Sequence, residues 1–246
     1  MIYCMSDIRG NYNGFKNILS KIHFKDTDTL YVLGNVIDGG EGSMKLLLDM
    51  MMRENVYPVI GEHEYAAIGC LSLLMNDADD VDLAGLSHEK MERMADWASM
   101  GGQQTIKEFR ELSDEQREMV VDYLSDFSLY EEAEAGGRSF VMVHAGIGNF
   151  APDKELEEYD IRELITQPAD YSKVYFEDKY LVTGHTPTRK IYEDQNPLIE
   201  KTPEGGSSPY DKIYTLNNHV AINCGSCIGG RLCAVRLDDM KPFYED

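Results

Sequence analysis

Positive charge is what this sequence has least of. Its 246 residues hold 23 Lys and Arg against 44 Asp and Glu, a formal net charge of −21. That balance argues against general electrostatic attachment to a nucleic-acid backbone or an anionic membrane, and neither partner is expected. A small phosphorylated substrate held in a local pocket stays compatible with it. Long apolar runs are also missing. No stretch approaches the ~20 residues that span a bilayer. Residues 1–5 are apolar, but Ser6-Asp7 ends the run at once and no basic segment precedes it, so a secretory signal is not expected. The five cysteines are odd in number and irregularly spaced, which gives no disulfide framework and makes a reducing cytoplasm the expected setting. Cys224 and Cys227 sit among glycines without a second pair, as ordinary turn residues do.

What is present is a set of apolar runs, each ended by residues that bind metals or phosphate. Residues 1–5, 29–33 and 56–60 read as buried strands. They are followed by Asp7-Ile8-Arg9-Gly10, Gly34-Asn35-Val36-Ile37-Asp38 and Gly61-Glu62-His63-Glu64. Between them, residues 11–21 carry apolar positions at helical spacing, and the Met- and Leu-rich stretch 43–54 reads as a helix buried on most sides. A βαβαβ start with a mainly parallel sheet follows. In such sheets ligands gather at the carboxyl ends of the strands.

Residues 65–126 read as a helical insertion within a single domain spanning 1–246. The insertion comprises an apolar stretch at 66–75, an acidic turn at 76–82 and amphipathic helices at 87–100 and 113–125, with an interruption at 101–105. Strands resume at 139–143 and 180–183, ending in His144-Ala145-Gly146 and Gly184-His185-Thr186-Pro187. Shorter strands are expected at 190–193, 213–215, 220–223 and 231–237, and residues 203–209 compose a mobile loop. A second sheet in this half, facing the first, makes a layered α/β sandwich.

Five strand ends thus supply Asp7, Arg9, Asn35, Asp38, Glu62, His63, His144 and His185. Imidazoles and carboxylates are ligands for first-row divalent ions, and Mn, Fe, Zn and Ni all accept them. One or two such ions can activate water against a phosphoryl group.

These motifs resemble those of the calcineurin-like metallophosphoesterases, the bacterial and phage serine/threonine protein phosphatases and their diadenosine-tetraphosphate hydrolase relatives above all. The family pattern D-x-H-G, G-D-x-x-D-R-G, G-N-H-E, H-A-G, G-H-T-P meets D-I-R-G, G-N-V-I-D-G-G, G-E-H-E, H-A-G, G-H-T-P here. The stretch from Trp97 through Gly101-Gly102 to Thr105, and the segment Asn223-Cys224-Gly225 to Leu232, are similar as well. The resemblance implies an αββα sandwich of two mixed sheets flanked by helices. It implies that His63 is the general acid, that Asp38 orients it, and that Arg162 is a second phosphate-binding arginine. It also exposes four departures. Arg9 stands at a metal-binding histidine, Asn35 at the bridging aspartate, Gly39 at a phosphate-gripping arginine and Glu62 at a metal-binding asparagine.

Those departures compensate for one another in a one-ion reading. Arg9 takes the place of the first ion and grips phosphate, while Glu62, His144 and His185, with Asn35 and Asp7 beside them, hold the other. The expected activity is metal-dependent phosphoester hydrolysis on a phosphorylated protein or small phosphoester, of serine/threonine-phosphatase type. The alternatives are a catalytically silent module that binds phospho-ligands or proteins, and a dinucleoside polyphosphate hydrolase.

Overall fold

The computed structural model describes residues 1–75, 87–203 and 205–245, and the acidic turn expected at 76–82 lies outside them. Strands β1 (Ile2–Met5), β2 (Thr29–Leu33) and β3 (Val56–Val59) run parallel, linked by helices α1 (Tyr12–Lys21) and α2 (Ser43–Met51). Helix α2 buries Met44, Leu46, Leu47 and Met50 and packs the half-buried Leu48 and Met51 against the core, while Met52 beyond it is 80% exposed.

Helices α3 (Glu62–Leu74), α4 (His88–Trp97), α5 (Gln103–Arg110) and α6 (Asp114–Ser125) follow. Helices α4 and α5 are joined by a π-helical turn, Ala98–Gly102, inside which Gly101 adopts φ 107°. The break expected at 101–105 is present as a kink between the two helices at Gly101, and glycine supplies the one backbone conformation that an L side chain resists there. Helix α6 begins with Ser113 and Gln116 capping each other's backbone, as its sequence predicts.

The second sheet is built from β4 (Tyr130–Ala135), β5 (Arg138–Val143), β6 (Lys179–Thr183), β7 (Tyr214–Leu216) and β8 (His219–Ala221), in the order β4-β5-β6-β8-β7. Helices α7 (Ile161–Ile165) and α8 (Thr188–Gln195) flank it. The chain then returns to the first sheet as β9 (Cys233–Arg236) and β10 (Lys241–Tyr244), giving the order β10-β9-β1-β2-β3. Both sheets are mixed, with β5, β6 and β8 parallel and β9 antiparallel to β1.

Side-chain alternation along each strand divides the core into layers. Tyr3 and Met5 pack with the helices, while Cys4 joins Leu33, Phe140, Met142, Val182, Val220 and Val235 between the sheets. Cys4 Sγ lies 3.2 Å from Met142 Sδ, so the two sheets touch there. Each large apolar side chain buried in that layer contributes about 1.5–3 kcal/mol.

Two local expectations are corrected, and two strands were not foreseen. Residues 190–193 lie in α8 and not in a strand. Thr188, Arg189 and Ile191 are the buried positions, and a four-residue stretch with one apolar contact fits either period. Strand β4 carries three glutamates, and β10 contains Pro242. Both are edge strands, where charge and proline are tolerated and the usual β signal is weak. Glu62 and His63 form the first turn of α3 and do not lie in a loop. No described helix is long and apolar enough to cross a membrane.

Candidate functional site

Parallel pairing of β1, β2 and β3, and of β5 and β6, places their carboxyl ends at one edge. Asp7 follows β1, Asn35 follows β2, Glu62 follows β3, His144 follows β5 and His185 follows β6. Most of these turns bend through the left-handed region. Asp7, Arg9, Asn35, Asp38 and His185 have φ of 50°, 54°, 53°, 71° and 52°. Asn and Asp accept that conformation readily, whereas Arg and His do so at a cost of roughly 1–2 kcal/mol.

Backbone bonds between the loops hold these bends. Asp7 N donates to Gly34 O at 3.0 Å, Arg9 N to Asn35 O at 2.9 Å and Gly10 N to Val36 O at 2.7 Å. Glu64, fully buried, adds four more. Its Oε1 accepts from Val36 N (2.8 Å) and Ile37 N (3.2 Å), and its Oε2 from Asn35 N (2.8 Å) and Gly61 N (3.0 Å). One carboxylate thereby fastens the loop after β2 to the start of α3. Gly34 is needed beside it, because a Cβ there would stand 2.5 Å from His144 Nδ1.

Glu62, His144 and His185 form the metal-competent group, with one donor atom of each within 4.8 Å of the others. His144 Nδ1 donates to Leu33 O at 2.7 Å, which leaves Nε2 as the free ligand atom. That Nε2 forms a buried ion pair with Glu62 Oε2 at 2.5 Å. His185 Nδ1 lies 3.0 Å from Glu62 Oε1. Burial alone would raise the Glu62 carboxyl, but His144 and His185 outweigh it and hold it well below the usual carboxylate range. Burial likewise pulls the His144 imidazole down, and the facing Glu62 carboxylate overrides this and lifts it to about 9. A buried imidazole nitrogen and carboxylate oxygen facing each other, with a second imidazole beside them, suit one divalent cation.

Asn35 sits between the carboxylates. Its Nδ2 donates to Asp7 Oδ1 (3.1 Å) and Glu62 Oε1 (3.0 Å), and its Oδ1 accepts from His63 N (3.4 Å). The amide is oriented by this network, since turned over it would set an oxygen against two carboxylates. Asp7 joins the group through Asn35 and through His185 N, which donates to Asp7 Oδ2 at 2.9 Å. Asn223 Nδ2 donates to His185 O at 2.8 Å and holds the same residue from its other side.

Beside the group stands a second constellation. His63 Nδ1 lies 2.7 Å from Asp38 Oδ2, and Asp38 is fully buried. Asp38 Oδ2 also accepts from Trp97 Nε1 at 2.8 Å, and its Oδ1 accepts from Thr105 Oγ1 at 2.6 Å. On its outer side His63 Nε2 accepts from Arg9 Nη1, and Arg9 Nη2 donates to Met100 O at 3.4 Å. An Nδ1–H given to Asp38 leaves Nε2 as an acceptor, which is the tautomer that Arg9 requires.

The structure therefore brings together Asp7, Arg9, Asn35, Asp38, Glu62, His63, His144 and His185. Arg162 stands apart, exposed on the first turn of α7, where it lines a cavity with Trp97 and Met100. Three contributors went unassigned in the sequence. Glu64 stood inside the third motif and was available there. Trp97 and Thr105 carried no signal of their own beyond the resemblance of their stretch, because their partner Asp38 lies 59 and 67 residues away.

Known proteins resemble this chain over nearly its whole length. The symmetrical bis(5'-nucleosyl)-tetraphosphatase of Neisseria gonorrhoeae is 31% identical over 96% of this chain and 92% of its own. That of Buchnera aphidicola subsp. Schizaphis graminum is 23% identical over 99% of this chain and 97% of its own. A crystal structure provisionally named a diadenosine tetraphosphatase shares the fold with a TM-score of 0.62 at 16% identity, covering 99% of this chain and 92% of that one. The family model described as calcineurin-like phosphoesterase matches residues 1–208. A match of that length shows that the chain belongs to the calcineurin-like phosphoesterases, and it is as a phosphoesterase that its strand-end cluster is understood.

Proposed function

We propose that the protein is a one-metal phosphohydrolase that cleaves the phosphoanhydride bridge of dinucleoside polyphosphates. The substrate class is supported by relatives that carry this activity in their names and align along 92% or more of their length. The same likeness moves the reading from the serine/threonine phosphatase expected first to the dinucleotide alternative. The observation that carries the reaction is the Glu62–His144–His185 group, its ligand atoms within 4.8 Å of one another, beside the His63–Asp38 pair.

In this reading Glu62, His144 and His185 hold the ion. A divalent ion supplies polarisation of a phosphoryl oxygen and makes water acidic enough to attack near neutral pH. Asp7 and Asn35 support the group: Asn35 separates the Asp7 and Glu62 carboxylates, and Asp7 fixes the His185 backbone. Arg9 contributes a permanent cation suited to bidentate contact with phosphate. As a phosphate draws Arg9 away from His63, Nε2 is freed to carry a proton. Asp38 keeps that imidazole oriented and stabilises its charged form, and His63 passes the proton to the bridging oxygen of the departing nucleotide. Water forms a P–O bond to one phosphorus and loses a proton to solvent, the bridging P–O bond breaks with the His63 proton on its oxygen, two nucleotide products separate, and solvent reprotonates His63.

The test is diadenosine tetraphosphate offered to chelator-treated protein with Mn²⁺, Zn²⁺, Ni²⁺ or no ion, products being separated by anion exchange. Ion-dependent release of ADP alone, abolished by His63→Asn, is expected. Turnover of a phosphoserine peptide in its place returns the reading to the protein phosphatases. Binding of both without turnover identifies a silent module.

A further inference from the structure

A cavity of about 600 Å³ opens between α3, α4, the turn at 98–102 and α7, with Arg93 and Asp96 of α4 in its wall. It reaches the candidate site on the His63 side through Trp97 and Met100, while His63, Asp38 and Arg9 themselves do not line it. Trp97 in its wall donates to Asp38, Met100 in its wall accepts from Arg9, and Tyr65 at its rim lies two residues beyond His63. Asp7, His144 and His185 contribute nothing to its lining.

Its composition suits a flat apolar ring next to anionic groups. Ile60, Ala66, Ile68 and Met100 furnish an apolar interior, and Tyr65, 42% exposed, offers a ring face. Arg162 is exposed on the opposite wall, and its guanidinium has no hydrogen-bond or ion-pair partner among the described residues. In a chain of net charge −21, a cation left unpaired at an apolar cavity is a ready contact for a phosphate or a base. A second cavity, about 570 Å³, has Arg9 in its own lining, with Ile8 and Tyr12 beside Asn11, Asn13, Glu41 and Lys45, but neither Trp97 nor Met100 belongs to it.

We infer that this His63-side cavity is the subsite for the nucleoside of the departing nucleotide. The base lies against Tyr65 and the apolar interior, and its diphosphate passes Arg162 toward Arg9. The inference rests on the proposed dinucleotide reading. It follows from placement: the proton donor faces the leaving group, so the leaving nucleoside must lie on the side of His63. Base–aromatic stacking tolerates any base, so the cavity takes nucleoside diphosphates as a class.

Gly69 allows a direct test. It lines the cavity from within α3, and a Cβ there would meet nothing within 4 Å. Gly69→Leu therefore fills the space without straining the helix, and Tyr65→Ala removes the ring. The measurement is calorimetric affinity for ADP and for inorganic pyrophosphate, with KM for diadenosine tetraphosphate alongside. ADP affinity is expected to fall at least about tenfold in both variants, with KM rising in step, while pyrophosphate affinity changes less than about twofold. If ADP binds the variants as tightly as the wild type, or if ADP and pyrophosphate weaken in parallel, the subsite is overturned. It is overturned equally if wild-type protein binds ADP no better than pyrophosphate. Should the ADP pattern hold while diadenosine tetraphosphate is not hydrolysed, the subsite stands and only the proposed reaction falls.

Discussion

The indole nitrogen of Trp97 donates to Asp38 Oδ2 at 2.8 Å, and His63 Nδ1 lies 2.7 Å from that same oxygen. A residue from the helical region thus sets how much of the Asp38 charge is available to the imidazole.

Removing either helical donor should weaken that arrangement without touching substrate binding by Arg9. Hydrogen bonds to charged groups contribute about 1.5–3 kcal/mol, so Trp97→Phe and Thr105→Val are each expected to lower kcat about ten- to a hundredfold. Thr105→Ser, which keeps the hydroxyl, should restore most of the rate. Steady-state kinetics with separate kcat and KM decide this, and a loss confined to KM would contradict it.

Glu64 should prove to be a stability residue. Four backbone N–H groups converge on its carboxylate. Glutamine offers one oxygen and turns an NH₂ toward the remaining donors. Glu64→Gln is expected to cost about 2–4 kcal/mol in urea unfolding, since buried donors left unpaired are expensive.

Ion stoichiometry tests the rewritten cluster. Native mass spectrometry of the wild type should show one tightly held ion per chain. Glu62→Gln should weaken it by at least about tenfold, the smallest effect expected even of a residue that merely supports a ligand. The pair Arg9→His with Asn35→Asp should admit a second ion. Two ions in the unaltered protein would refute the one-metal reading.

His219 gives the fold an acid-side weakness. Burial holds its imidazole below the ordinary value, against the opposing effect of the Lys173 carbonyl, which accepts from Nε2 at 2.8 Å. The unfolded chain takes up this proton below about pH 6.5, whereas the folded chain does so only at lower pH. Stability is therefore free of this penalty above about pH 6.5 and falls as pH drops from there through the lower folded value. His219→Phe should be less stable at neutral pH, by about 1 kcal/mol for the lost hydrogen bond, but its Tm should fall less steeply on acidification. Parallel slopes would clear His219 of this role.

The residues of the site were legible because each ends a buried apolar run, and period-two burial is written locally. A layered two-sheet sandwich followed from the same runs, and the resemblance added its αββα order. What was not legible depends on distance or ambiguity. Nothing within reach of Asp38 in the sequence announces Trp97 or Thr105. Arg9 could be read as a phosphate cation, but not as the residue capping His63 Nε2, which only the folded loop after β1 brings about. Residues 190–193 failed as a strand because a single buried Ile191 satisfies a helix equally well.

Arg9 holds its position at φ 54°. Glycine would occupy that backbone conformation with less strain. Arg9→Gly relieves backbone strain at the same stroke that it removes the phosphate cation and the contacts to His63 Nε2 and Met100 O. The arginine occupies a costly backbone conformation, and the contacts of its guanidinium are what hold it there.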